Sequence, residues 1–291
     1  MWKPFQKIIE KKGHAVEIIV FGFIVVLGVL VWIKFAGGSS GKGLPSTGAA
    51  LPAGTTAALR LPGGAKMEMV WCPPGSFMMG SPEDEKGHRD SETLHPVTLA
   101  EGFWMAKFPV TQKQWKSVMG NNPSHFKGGR LPVEYVTWFD CMAFCRKTGL
   151  SLPTEEQWEY ACRAGSTGPY AGSGRLEEMG WNGRNLKSTQ PVGKKRPNAW
   201  GFHDMHGNVW EWCLDAWEDG EPLGKAFDPA TAGPYERCAI RGGCIWFTKP
   251  EWCRSASRGC EEPDFKEHFG EPIEPIGFRP IARQGEGGVA P

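Results

Sequence analysis

Residues 18 to 33, Ile-Ile-Val-Phe-Gly-Phe-Ile-Val-Val-Leu-Gly-Val-Leu-Val-Trp-Ile, carry no charge and offer no polar face. A run of that kind does not suit the surface of a water-soluble domain. Taken as Ala15 to Phe35, it is about long enough, at about 1.5 Å per helical residue, to cross a bilayer, and the sequence predicts one transmembrane helix over 15–35. Glu17 and Lys34 then sit at the two interfaces, Lys34 by snorkelling, with Trp32 as an interfacial anchor. Lys3, Lys7, Lys11 and Lys12 precede the run, whereas only Lys34 and Lys42 follow it closely. The positive-inside bias therefore places residues 1–14 in the cytoplasm and everything after the helix outside, in a periplasmic or extracellular space. A cleaved signal peptide is the competing reading, because small residues follow at Ala36-Gly-Gly-Ser-Ser, but its apolar part would be shorter and its basic leader briefer.

Residues 36–64 are mostly Gly, Ser, Ala, Pro and Thr, the composition of a spacer. A globular domain is expected over 65–283, followed by a tail at 284–291. With 39 glycines, 24 prolines and 14 tryptophans in the chain, turns and irregular backbone held by aromatic side chains are expected in place of long regular elements. Met67-Glu-Met-Val-Trp alternates like a half-buried strand that Pro73-Pro-Gly ends. Thr111, Thr137 and Thr154 read as N-caps of helices over 112–119, 138–148 and from 155, stopped by Gly120, Gly149 and Gly165. Thr154 and Gln157 have capping-box spacing. The fold class is α+β with low regular content.

A net charge of +1 gives no electrostatic case for a nucleic-acid partner. Nine cysteines in an exported domain read as a disulfide framework with at least one thiol left over.

The ordered pieces Met78-Met-Gly-Ser, Pro109-Val-Thr, Pro132-Val, Leu152-Pro-Thr-Glu-Glu-Gln-Trp-Glu-Tyr, Gly207-Asn-Val-Trp-Glu-Trp, Arg241-Gly-Gly and Gly277-Phe-Arg resemble the formylglycine-generating enzyme, or sulfatase-modifying factor, family. The resemblance implies an elaborated C-type-lectin-like fold: a twisted antiparallel sheet, two or three helices and long calcium-binding loops. It implies calcium at the Asp204 to Glu211 loop, with side-chain oxygens from Asp204 and Glu211 and carbonyls from Gly207 and Val209; a plain hydrogen-bonded loop is the alternative. A second calcium site beginning at Asn182 lacks its later acidic residue before Pro191. In the family's oxidase the resemblance further implies a Cys-x-x-x-x-Cys pair that binds copper, since soft thiolates suit Cu(I). Counting forward from Gly242-Gly243 puts Phe247 and Trp252 at those positions, and counting back from Pro263-Asp264 puts Pro250 at the second. Neither register supplies a thiol, so copper is not expected. The iron-dependent branch needs an additional helical domain for which the chain has no room, and His203 and His206, the only close histidine couple, read as surface or hydrogen-bonding residues.

Trp210, Trp212 and Trp217 are expected in the core. Cys145 and Cys162 match positions where family members form disulfides, but Pro280 stands at the partner position, which leaves Cys145 to pair elsewhere, for instance with Cys253. Arg241, Arg254, Arg258 and Arg279 are expected to tie loops together through carbonyls and carboxylates, an anion-binding face being the alternative. Cys244 and Cys253 are the candidates for a reactive thiol. The leading expectation is a membrane-anchored, non-catalytic member of this family that serves as a binding or accessory subunit of a membrane or envelope complex. Its alternatives are a formylglycine-generating or related oxidase acting on exported proteins, and a calcium-dependent lectin-like ligand binder.

Overall fold

The computed structural model describes residue 44 and residues 51–183, 186–217, 225–232, 236–265 and 275–283. The helix expected over 15–35 and the tail at 284–291 lie outside the described residues. Among those described, no helix is long and apolar enough to cross a membrane.

The elements in chain order are β1 (Thr56–Arg60), β2 (Lys66–Cys72), β3 (Gly75–Met79), β4 (His95–Leu99), β5 (Phe103–Ala106), α1 (Gln112–Met119), α2 (Trp138–Thr148), α3 (Glu155–Arg163), α4 (Leu176–Met179), β6 (Trp210–Ala216), β7 (Cys238–Arg241), β8 (Arg258–Glu261), β9 (Ile276–Phe278) and β10 (Ile281–Arg283). They form a four-stranded sheet in the order β1-β2-β5-β10, a β3-β4 hairpin, and a second four-stranded sheet in the order β8-β7-β6-β9. Pairing is antiparallel except between β6 and β9, where Trp210, Glu211 and Trp212 lie beside Ile276, Gly277 and Phe278. That parallel pair brings the Trp-Glu-Trp and Gly-Phe-Arg motifs together.

All three threonine-capped helices are present. Each has a full capping box, Thr111 with Gln114, Thr137 with Asp140 and Thr154 with Gln157, which satisfies otherwise orphaned first-turn amides. Gly120 and Gly149 close α1 and α2 in the left-handed conformation. α3 differs, because Ala164, one residue before Gly165, already adopts the left-handed cap. The domain also begins earlier than residue 65: β1 falls in the stretch read as spacer, where Leu59 and Leu61 are buried while Thr56, Ala58 and Arg60 are exposed.

The core is built around tryptophan. Trp104, Trp115, Trp158, Trp210 and Trp212 are fully buried, while Trp217 is half-buried with the Arg258 guanidinium 4.5 Å above its ring. The expected disulfide framework is absent: no disulfide joins any of the nine cysteines, and eight are buried. Cys145 packs as a small apolar group in the main core beside Phe144 and Trp138, and Cys253 lies against Gly243, so the pair considered from sequence does not form.

Candidate functional site

The Asp204 to Glu211 loop runs into β6 and carries three left-handed residues, Asp204 (φ 56°), Gly207 (φ 93°) and Asn208 (φ 70°). Each tight bend is held by partners from elsewhere. Gly207 donates its N–H to the Gly242 carbonyl at 2.7 Å, joining the loop to the Arg-Gly-Gly motif, and Asn208 makes a two-way amide pair with the backbone of Gln190 at 2.9 and 3.0 Å. His206 is buried and neutral: Nδ1 donates to the Cys253 carbonyl at 2.8 Å, Nε2 accepts from the Ala171 N–H at 3.0 Å, and burial lowers its pKa to about 4. His203 turns instead to the Lys195 carbonyl at 2.8 Å. The two histidines serve separate backbone contacts.

Asp204 and Glu211 are both buried and near enough for the charge of Glu211 to push up the Asp204 carboxyl. Asp204 Oδ2 accepts from the Gly193 N–H at 2.7 Å, whereas Oδ1 is buried and, among the described residues, makes no hydrogen bond of good geometry, the Trp181 indole N–H being the donor near this carboxyl. Burial is the largest cause of a pKa raised to about 6, offset in part by Gly193 and Arg279. Glu211 is already balanced: Arg279 grips it with Nε at 3.0 Å and Nη2 at 2.9 Å, and the Trp158 indole donates at 2.7 Å.

A buried, incompletely satisfied carboxylate beside a second carboxylate and the left-handed Gly207 would suit a hard, oxygen-seeking cation such as calcium. The ligand set implied by the resemblance fits only in part: Asp204 would hold the ion, whereas both Glu211 oxygens are engaged by Arg279 and Trp158 and the Gly207 carbonyl accepts from the Val209 N–H at 3.0 Å. Without a cation, a carboxyl with a raised pKa loses favourable protonation as pH climbs through about 6, so its ionisation costs stability above that pH. Calcium is therefore expected to raise the unfolding temperature at pH 7.5 and to do so less at pH 5, where protons compete for Asp204. Thermal unfolding with calcium or chelator, on the wild type and Asp204→Asn, measures this; a wild-type transition indifferent to chelator at pH 7.5 contradicts it.

At the positions compared with the oxidase's thiols, Phe247 and Trp252 stack with ring centroids 4.9 Å apart and planes 18° apart. Trp210 meets both edge-on, and the Arg89 guanidinium lies 3.4 Å over Trp252. Pro250, the other register's candidate, starts a single turn of 3-10 helix ending at Cys253, and its carbonyl accepts from the Tyr170 hydroxyl at 2.9 Å. Cys244 and Cys253 are both fully buried, and burial pushes the Cys253 thiol up to about 12, opposite to what a reactive thiolate needs.

The four motif arginines are buried and each meets glutamate. Arg258 takes Glu155 with two bonds of 2.8 Å; Arg254 takes Glu92 at 2.7 and 2.8 Å and Glu85 at 2.7 Å; Arg241 bonds Glu159 and the carbonyls of Ala256 and Ser257. Sequence reasoning found these arginines and missed their partners. A signal was present in Glu155 and Glu159, one helical turn apart beside Trp158 in α3, since carboxylates on a core-facing helix surface need counter-charges.

A second feature missed from sequence is an apolar cleft of about 620 Å³ between the β3-β4 hairpin and the end of α3. Phe77, Met78, Leu94, Tyr160 and Trp200 line it, and Met78 and Leu94 are 45% and 43% exposed, unusual for large apolar side chains.

The sulfatase-modifying factor enzyme 1-like domain matches residues 59–283 of this chain. The chain belongs to the sulfatase-modifying factor family. It is 33% identical over 195 residues to the chaperone protein LppX of Paenibacillus barcinonensis, covering 46% of this chain and 68% of that protein. It is 29% identical over 191 residues to the formylglycine-generating enzyme of Mus musculus, covering 59% of this chain and 50% of the enzyme, so it spans only half the length of that relative. Among solved structures, PvdO from Pseudomonas aeruginosa superposes with a TM-score of 0.66 at 29% identity over 80% of this chain and 100% of PvdO. The α+β domain expected from sequence thus agrees with the family's fold of mixed helices and strands.

Proposed function

We propose that this chain is a membrane-anchored, non-catalytic member of the family whose extracytoplasmic domain acts as a binding or accessory subunit of a membrane or envelope protein complex. The observation that carries the reading is the Phe247–Trp252 stack capped by Arg89, which places rings where the oxidase resemblance calls for two thiols. An aromatic pair offers no soft ligand to copper. The buried arginine–glutamate pairs hold the loops in one arrangement, and the apolar cleft beside Met78 and Leu94 offers a contact surface that needs no chemistry.

Purification of the full chain in a gentle detergent is expected to recover a stoichiometric protein partner. Met78→Asp with Leu94→Asp is expected to release that partner, weakening it at least about 30-fold, the loss of two buried anchor side chains, with the unfolding temperature unchanged. Recovery of the chain alone, or a partner indifferent to the double change, contradicts the reading. The second reading is an oxidase using Cys244 or Cys253, favoured by relatives named formylglycine-generating enzyme. The burial of both thiols weighs against it.

A further inference from the structure

The β1-β2 turn, the start of α1 and the loop at 129–130 enclose an open cleft of about 510 Å³, lined by Gly63, Lys66, Thr111, Lys113, Gln114 and Arg130 among others. Three cations of this lining come from three separate segments, and among the described residues no carboxylate lines the cleft. Lys66, Lys113 and Arg130 are all exposed. Among the described residues neither lysine has an ion-pair partner, and Arg130 has only a long contact of 3.4 Å to the Val192 carbonyl. The nearest carboxylate on the same strand, Glu68, is taken by Lys107 at 3.2 Å. Arg60 stands directly opposite Lys66 across the β1-β2 pair, a like-charge pairing that destabilises a sheet. The fold thus carries an uncompensated positive charge concentrated around a cleft, and a bound anion would relieve it.

We infer that this cleft binds the phosphate of an anionic phospholipid headgroup and so docks the domain on the membrane that carries it. The inference rests on the membrane-anchor reading above. Its further support is position along the chain: the cleft's first residues follow closely on β1, the first strand among the described residues. Anionic lipid attracts each basic residue held near its surface, and the attraction weakens with salt.

The test uses the full chain in a neutral maltoside detergent, with affinity read from thermal stabilisation and titration. Three probes are compared: phosphatidylglycerol mixed into the micelles, phosphatidylcholine, and inorganic phosphate. Phosphatidylglycerol is expected to bind at least about ten-fold more tightly than phosphatidylcholine, with an affinity that falls as salt rises. The triple change Lys66→Glu, Lys113→Glu, Arg130→Glu is expected to abolish that preference without lowering the lipid-free unfolding temperature, since all three side chains are exposed and Lys66→Glu also relieves the like-charge pairing with Arg60. Equal binding of the two lipids, or a triple variant that keeps the preference, overturns the inference. Inorganic phosphate that binds as tightly as phosphatidylglycerol and displaces it also overturns it, in favour of a free-phosphate site. Carbonate extraction of cell membranes is read separately: release of the wild-type chain would refute the anchor and leave the headgroup measurement standing by itself.

Discussion

Arg279→Met is expected to destabilise the domain by about 3–5 kcal/mol, the cost of leaving a buried charge without its partner. Arg279 is fully buried, and its guanidinium makes a two-point bond to Glu211 while also donating to the carbonyls of Ala106 and Lys107, at 3.2 and 2.8 Å, and of His203 at 2.9 Å. Removing it leaves the Glu211 carboxylate without its counter-charge, with only the Trp158 indole still donating, and takes a donor from three carbonyls at the junction of β5, the Asp204 loop and β6. Lysine at this position keeps the charge but not the fork, so Arg279→Lys is expected to fall between wild type and methionine. The double change Glu211→Leu with Arg279→Met is expected to recover part of the loss, because no charge then remains buried unpaired. For a domain of this size the methionine variant corresponds to a fall of about 10 °C in the unfolding temperature. Urea and thermal unfolding of the three variants measure it; a single-variant cost under about 1 kcal/mol would show that the pair is not structural.

Gly207→Ala is the second large effect. A Cβ at Gly207 would stand 1.7 Å from the Trp181 carbonyl oxygen, and φ of 93° is a conformation that side chains rarely adopt. The conformational strain alone is about 1–3 kcal/mol, before the backbone moves to relieve the clash. The contact cannot simply open, because Trp181 accepts from the Asn208 N–H at 3.0 Å and donates to the His206 carbonyl at 2.8 Å, on either side of the glycine. The alanine variant is therefore expected to lose calcium stabilisation together with thermal stability, whereas Asp204→Asn loses the calcium response with a smaller stability change. Melting curves of the two variants with calcium and with chelator separate them; a Gly207→Ala protein with wild-type stability contradicts the loop geometry.

What could be read from sequence was what is local. Thr111, Thr137 and Thr154 announce their helices because a cap bonds an amide three residues away, and Gly120 and Gly149 end two of them because the left-handed cap favours glycine. Pairings across the chain were not legible. Arg254 meets Glu92 across 162 positions and β6 lies parallel to β9, and no local pattern specifies either. The disulfide expectation failed on chemistry that the cysteine count does not encode: eight of the thiols fill core positions as small apolar groups. The strand at Thr56–Arg60 was obscured because only Leu59 of its five residues is buried. The apolar cleft beside Met78 arises from the approach of a hairpin to a helix end, which only the assembled fold creates.

The claim on which the rest depends is that the family's scaffold is present here without the oxidase chemistry. The measurement that reaches it most directly is incubation of the purified full chain with Cu(I) and a cysteine-containing sulfatase peptide under oxygen, reading bound copper and peptide aldehyde together. The aromatic stack of Phe247 and Trp252 and the buried thiols of Cys244 and Cys253 predict no stoichiometric copper and no aldehyde above a protein-free control. One copper per chain with turnover of the peptide, lost on Cys244→Ser or Cys253→Ser, would contradict it.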